Sequence, residues 1–150
     1  MNKKAIAYIS QWIDTSSCHH MENETNAYNL WKKLESVFEQ KIAKNKIFLL
    51  KKLVNIKLKE GTLMIDHLNT FLSIINKLAT MKMVMDDEMQ ALLLLCSLPN
   101  NWETFFVTIS NSNPNGALSM ELVKENLFNE ETRRKVYETK NAQALIIESR

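Results

Sequence analysis

Residues 86–106 read DDEMQALLLLCSLPNNWETFF, and this stretch decides the fold. Asp86 and Asp87 suit a helix start, because carboxylates accept the free N–H groups of a first turn and favour the positive end of the helix dipole. Pro99 predicts the stop, since the residue before a proline is pushed out of the helical region. Asn100, with Glu103 three residues on, has the form of a capping box and predicts a second helix. The stretch therefore reads as helix, tight corner, helix. At about 100° per residue, Met89, Leu92, Leu95 and Cys96 share one side of the first helix, and Asp86, Gln90 and Ser97 the other. Leu93 and Leu94 fall on the edges of the polar side, flanking Gln90. A helix apolar nearly all round is buried all round. The expectation is a core helix, or one whose second face is covered by a neighbouring molecule.

Working outward, the segments on both sides are also helical in pattern. Upstream, Ile65, Leu68, Leu72, Ile75 and Ala79 recur in steps of three and four, with Phe71 and Leu78 widening the face, and predict a helix over 63–81. Glu60-Gly61-Thr62 is expected to end the preceding helix and cap this one. Residues 41–59 hold seven lysines and no acid. Ile47, Leu50, Leu53, Val54 and Leu58 predict their apolar stripe. Before them, Thr25 or Asn26 caps a helix through Ala27, Leu30, Trp31, Leu34, Val37 and Phe38, and residues 3–14 predict a short amphipathic helix followed by a polar connection. Downstream, Trp102, Phe105, Phe106 and Ile109 are expected inward. Ser110 to Gly116 reads as a loop, and Ser119 caps a last helix through Leu122, Val123 and Leu127. Its charged continuation, EETRRKVYETK, is expected to fray.

The totals narrow the fold class. The chain has 150 residues, 45% hydrophobic and 24% charged, in the range of a globular chain of one domain or two small lobes. Gly61 and Gly116 are its only glycines and it has two prolines, too few for a phosphate loop, a dinucleotide fingerprint or a run of tight hairpins. An all-α fold follows. No apolar run approaches the ~20 residues of a membrane span, and the start has no secretory pattern. Cys18 and Cys96, far apart, form no disulfide framework and suit a reducing compartment. Net charge is +2 but unevenly spread: residues 1–41 are balanced, 42–82 carry net +6 and 83–150 net −4. Such a layout lets copies attract one another or lets the middle face a polyanion.

Catalytic and metal constellations are not suggested. Cys18, His19 and His20 are adjacent, so their side chains do not converge on one ion, and no second pair stands at ligand spacing. His67 reads as a surface histidine on a helix. No G-x-S-x-G, H-E-x-x-H, G-K-[ST] or Asp-Thr/Ser-Gly occurs. No enzyme, cofactor, metal or small-molecule substrate is expected. The lysine-rich segment is the nucleic-acid candidate: Lys44, Lys51, Lys52, Lys57 and Lys59 could meet phosphates without sequence preference. Only Phe48 interleaves with them, so base stacking is not suggested, and a solvated helix face is the competing reading.

Taken in order, several groups of residues carry a resemblance. They are Ala27-x-x-x-Trp31-x-x-Leu34, a lysine-bearing helix, Lys59-Glu60-Gly61-Thr62 leading to Phe71 and Leu78, and Asp86-Asp87-Glu88. Leu94-Leu95-Cys96-Ser97-Leu98-Pro99-Asn100-Asn101-Trp102 with Phe105 follow, then Leu118-Ser119 running to Glu130-Glu131-Thr132-Arg133-Arg134. This resembles the Gag polypeptide of copia-type LTR retrotransposons. The resemblance implies a capsid-like helical bundle of about seven helices in two small lobes. Residues 1–41 would end the N-terminal lobe, 42–140 would form a five-helix C-terminal lobe, and 141–150 a frayed tail. The Glu60-Gly61 helix would stand in the place of the retroviral major homology region. The helix from Asp86 would stand where retroviral capsids make their two-fold contact, which points to Asp87, Gln90, Leu93 and Leu94 as self-association residues. The chain departs from the family's pattern in three ways. An N-terminal Trp-bearing portion is expected to precede it, a glycine common near Lys82-Met83 is missing, and the Cys-x2-Cys-x4-His-x4-Cys knuckle is not found. It therefore reads as a fragment or a truncated, domesticated copy.

The expected function is a structural one. The chain would associate with itself, as a homo-oligomer with the dimer as its building unit, to build virus-like particles that package element RNA, in the cytoplasm or also in the nucleus. The competing readings are a non-specific RNA-binding module using residues 41–59 and a host interaction adaptor holding a peptide between lobes. No membrane partner is expected.

Overall fold

In the computed structural model the described residues are 26–113 and 115–149, and among them every regular element is helical. The expected helix at 3–14 and the Cys18-His19-His20 cluster lie outside them. The elements are α1 (Ala27–Asn55), α2 (Met64–Thr80), α3 (Asp87–Cys96), a 3₁₀ turn (Asn100–Trp102), α4 (Glu103–Asn111) and α5 (Met120–Glu148). Five α-helices thus stand among the described residues where about seven were expected for the whole chain. The two helices expected on either side of residue 41 are one, because nothing between Ala27 and Asn55 is a glycine, a proline or a capping break.

The chain divides into two compact units, residues 1–48 and 49–150. In the described part of the first, the Asn26 side chain accepts the Tyr28 N–H at 3.1 Å and starts α1. Leu30 is buried, and the Lys32 ammonium sits over the Tyr28 ring.

The second unit holds one core. Leu49 and Leu53 from the end of α1 join Met64, Leu68, Phe71, Ile74, Ile75 and Leu78 of α2. Ala91, Leu94 and Leu95 of α3, then Leu98, Trp102, Phe105 and Ile109, and finally Met120, Val123 and Leu127 of α5 complete it. Helix α5 packs on α2, α3 and α4. Of the expected stripe, Leu53 is buried and Leu58 packs against the core, but Ile47, Leu50 and Val54 are exposed and Leu49 is buried in their stead. The α2 stripe is centred on Phe71, leaving Ile65 outside.

Helix α1 stops at Asn55, not near residue 59. The Leu58 N–H donates to Ser97 O at 2.8 Å, at the C-terminus of α3, and so leaves the path of its own helix. The Lys57 ammonium donates to Cys96 O beside it, a cation at the negative end of a helix. The connection between α1 and α2 therefore closes the end of α3.

The other helix ends are also tied across elements. Asp86 accepts the Met89 N–H at 2.7 Å, the predicted cap of α3. Asp87, one residue on, reaches across to accept the Met120 N–H at the start of α5 at 2.8 Å, beside the Ser119 cap. Helix α2 receives no cap from Thr62. Its Met64 N–H donates instead to Glu131 of α5 at 2.8 Å. The expected Asn100–Glu103 capping box does not form, because Asn100 is drawn into the 3₁₀ turn. At the end of α2, Lys82 N–H donates to Ala79 O and Met83 N–H to Leu78 O, both at 3.0 Å. This is the Schellman pattern, and it puts Lys82 at φ 62° where a glycine is ordinarily found.

The segment EETRRKVYETK does not fray. Helix α5 continues to Glu148. Glu130 pairs with Arg133 at 2.7 Å and Arg134 at 2.8 Å. Arg134 also lies over the Trp102 ring, 4.1 Å from its centroid, and donates to Asn101 O. From residue 135 to 149 every residue is exposed, Leu145, Ile146 and Ile147 included.

Candidate functional site

Helix α3 carries the residues expected to meet a second copy, and three of the four are engaged within the chain. Leu94 is 0% exposed at the centre of the core and offers nothing to a partner. Asp87 caps α5, and the Gln90 side-chain amide donates to Met85 O at 2.8 Å. Leu93 is half-buried against the core and partly open. The buried arc is Ala91, Leu94, Leu95 and Leu98, spaced i, i+3, i+4, i+7. The wheel reading weighted the large side chains and left out the small Ala91, which is fully buried.

The face this leaves outside is apolar. Met89 is 49% and Leu92 44% exposed, and Cys96 follows one turn later on the same side. With Leu93 at its edge, this stripe has the i, i+3, i+7 spacing of a helix–helix contact and no partner among the described residues.

Ser97 and His67 form a buried polar pair that sequence reasoning missed. His67 is 5% exposed, not a surface residue. Its Nε2 lies 2.7 Å from Ser97 Oγ. The serine hydroxyl is already committed as donor to Leu94 O, so the imidazole must donate. Burial lowers the His67 pKa and keeps the ring neutral. The available signal was Ser97 itself, a helix C-cap just before Leu98-Pro99.

The lysines are divided by the fold. Lys52, Lys57 and Lys59 line one cleft of about 450 Å³ with Asn55, Thr62 and Asp66, and His67 forms part of its wall. Lys51 is exposed on α1 outside that cleft, and Lys44 belongs to the first unit. Among the described residues no group of three or more His, Cys, Asp or Glu is placed to hold a metal ion. None of the described helices is long and apolar enough to cross a membrane.

Comparison with known sequences gives the chain a family. The profile described as gag-polypeptide of LTR copia-type matches residues 1–140. The chain belongs to the copia-type LTR Gag family. A curated relative, the retrovirus-related Pol polyprotein from transposon TNT 1-94 of Nicotiana tabacum, is 31% identical over all 150 residues of this chain. The chain spans 11% of that relative's length. No solved structure matches. At residues 82–83, where the resemblance led to the expectation of a glycine, Lys82 itself adopts the left-handed conformation.

Proposed function

We propose that this chain is a structural Gag subunit whose copies associate through the exposed face of α3 to build virus-like particles around element RNA. The carrying observation is the unpartnered stripe of Met89, Leu92 and Cys96, with Leu93 beside it, on a helix whose opposite face is fully committed to the core. Met89 and Leu92 are each about half exposed, so burying the remainder of one such side chain is worth roughly 1 kcal/mol. A two-fold contact uses each residue twice. Single contacts of that size are weak but become cooperative when many close into a shell. In this reading residues 42–140 are a C-terminal capsid lobe, residues 1–41 belong to the N-terminal lobe, and assembly takes place in the cytoplasm.

The test is the mass in solution by light scattering over a rising concentration series. The wild type should move from monomer to dimer, and Leu92→Asp should hold it at monomer with helicity unchanged. Leu94→Asp is the wrong probe, because a charge at that position unfolds the core. A wild type that stays monomeric throughout, or a Leu92→Asp variant that dimerises normally, would end the proposal for this face.

RNA enclosure is the second part of the reading. It is supported by the excess of cations over residues 42–82 and by the convergence of three lysines on one cleft.

A further inference from the structure

The cleft between the end of α1 and the start of α2 has a composition that a merely solvated lysine face does not need. Three lysines, Lys52, Lys57 and Lys59, line it together with Asn55, Thr62 and a single acidic residue, Asp66. Two of the cations come from the connection and one from the helix, so the grouping is made by the fold. Lys57 is held in place by its bond to Cys96 O, which uses one of its three N–H groups and leaves two. The wall behind includes His67, fixed by Ser97, so the floor does not rearrange easily.

We infer that this cleft holds the sugar–phosphate backbone of single-stranded RNA. The inference rests on the RNA-enclosing reading above and gives it a location and a chemistry. The lysines neutralise phosphate oxygens. The carboxylate would repel a phosphate placed against it, but it accepts a hydrogen bond from a ribose 2′-hydroxyl, and Asn55 and Thr62 can donate to or accept from the same sugar. A site combining cations with one acceptor for a hydroxyl suits ribose better than deoxyribose. With no exposed aromatic among the lining residues, it holds the strand without reading its bases. The outer-face lysines then add only long-range attraction.

The experiment is a fluorescence-anisotropy titration of the full chain with a short single-stranded RNA and the matching DNA, at several salt concentrations. The cleft variant is Lys52→Glu with Lys59→Glu, leaving Lys57 to its structural bond. The control is Lys77→Glu with Lys140→Glu, the same charge change at exposed positions outside the cleft. The cleft variant should bind RNA roughly tenfold or more weakly, with a log–log salt slope shallower by about 1.4 for two lost phosphate contacts. The control should lose clearly less. Asp66→Asn should tighten binding to both strands while narrowing the preference for RNA. Equal losses in the cleft and control variants, or wild-type affinity as high for DNA as for RNA, would overturn the inference while leaving the RNA-enclosing reading in place. A wild type that binds no RNA even at low salt would remove both.

Discussion

Single side chains in this molecule hold positions that make definite demands. Lys82 sits at φ 62°, where a residue with a Cβ is destabilised by about 1–2 kcal/mol. Lys82→Gly relieves this at some cost in unfolded-chain entropy, so a net gain of about 0.5–1 kcal/mol is expected, read as a higher urea midpoint. His67 makes a different demand. Its native pKa is lowered by burial, so the unfolded chain binds a proton more readily than the folded one. Stability from this group is fully present above the ordinary value of 6.5 and is lost as pH falls from there toward the lowered native value. Melting temperature should therefore drop on acidification below that point. His67→Gln, which keeps a donor for Ser97 and does not titrate, should flatten the drop. Glu130, held below the usual carboxylate range first by its bond from Arg133 and then by Arg134, adds a second loss that begins only below 4.5. Neither demand was legible beforehand, because a sequence pattern does not record backbone φ or which polar residue faces inward.

At the scale of the helix, the reading from sequence did well on existence and less well on faces and ends. Asp86 and Ser119 were recognisable caps because their partners lie three residues away in the chain. Thr62 and Asn100 looked equally good, but the amides they would have served are taken by Glu131 and by a 3₁₀ turn. Local rules cannot see a carboxylate arriving from sixty-seven residues downstream. In α3, Leu92 and Leu94 are the same residue type two positions apart, and only the neighbouring helices decide which of them is hidden. The cross-helix caps can be measured. Glu131→Ala and Asp87→Ala should each cost roughly 1 kcal/mol by urea unfolding, as loss of a helix cap does. Truncation after Glu138 should change stability by less than about 0.5 kcal/mol, since the last turns of α5 are wholly exposed.

For the molecule as a whole, the all-helical class and family were legible from two glycines, helical periodicity and an ordered set of motifs across the chain. The surfaces proposed for association and for RNA were legible only as neighbourhoods. On α3, three of the four residues named for self-association serve the fold instead, and the exposed apolar stripe lies beside them. Of the five lysines named for RNA, Lys52, Lys57 and Lys59 share one cleft, and their convergence needed the connection to fold back over the end of α3. At this scale the core and the exposed face should separate cleanly. Leu94→Ala should cost about 2–5 kcal/mol of stability with no effect on association beyond unfolding. Leu92→Ala should leave stability within about 0.5 kcal/mol and weaken any dimer.

The caps that run between helices form a closed loop of dependence. Helix α3 serves the start of α5 through Asp87, α5 serves the start of α2 through Glu131, and α2 returns to the end of α3 through His67 and Ser97. Opening any one of the three strips a terminus from the next. Amide protons in α2, α3 and the first half of α5 should therefore exchange with solvent together, at one common free energy, with no member of the ring melting ahead of the others.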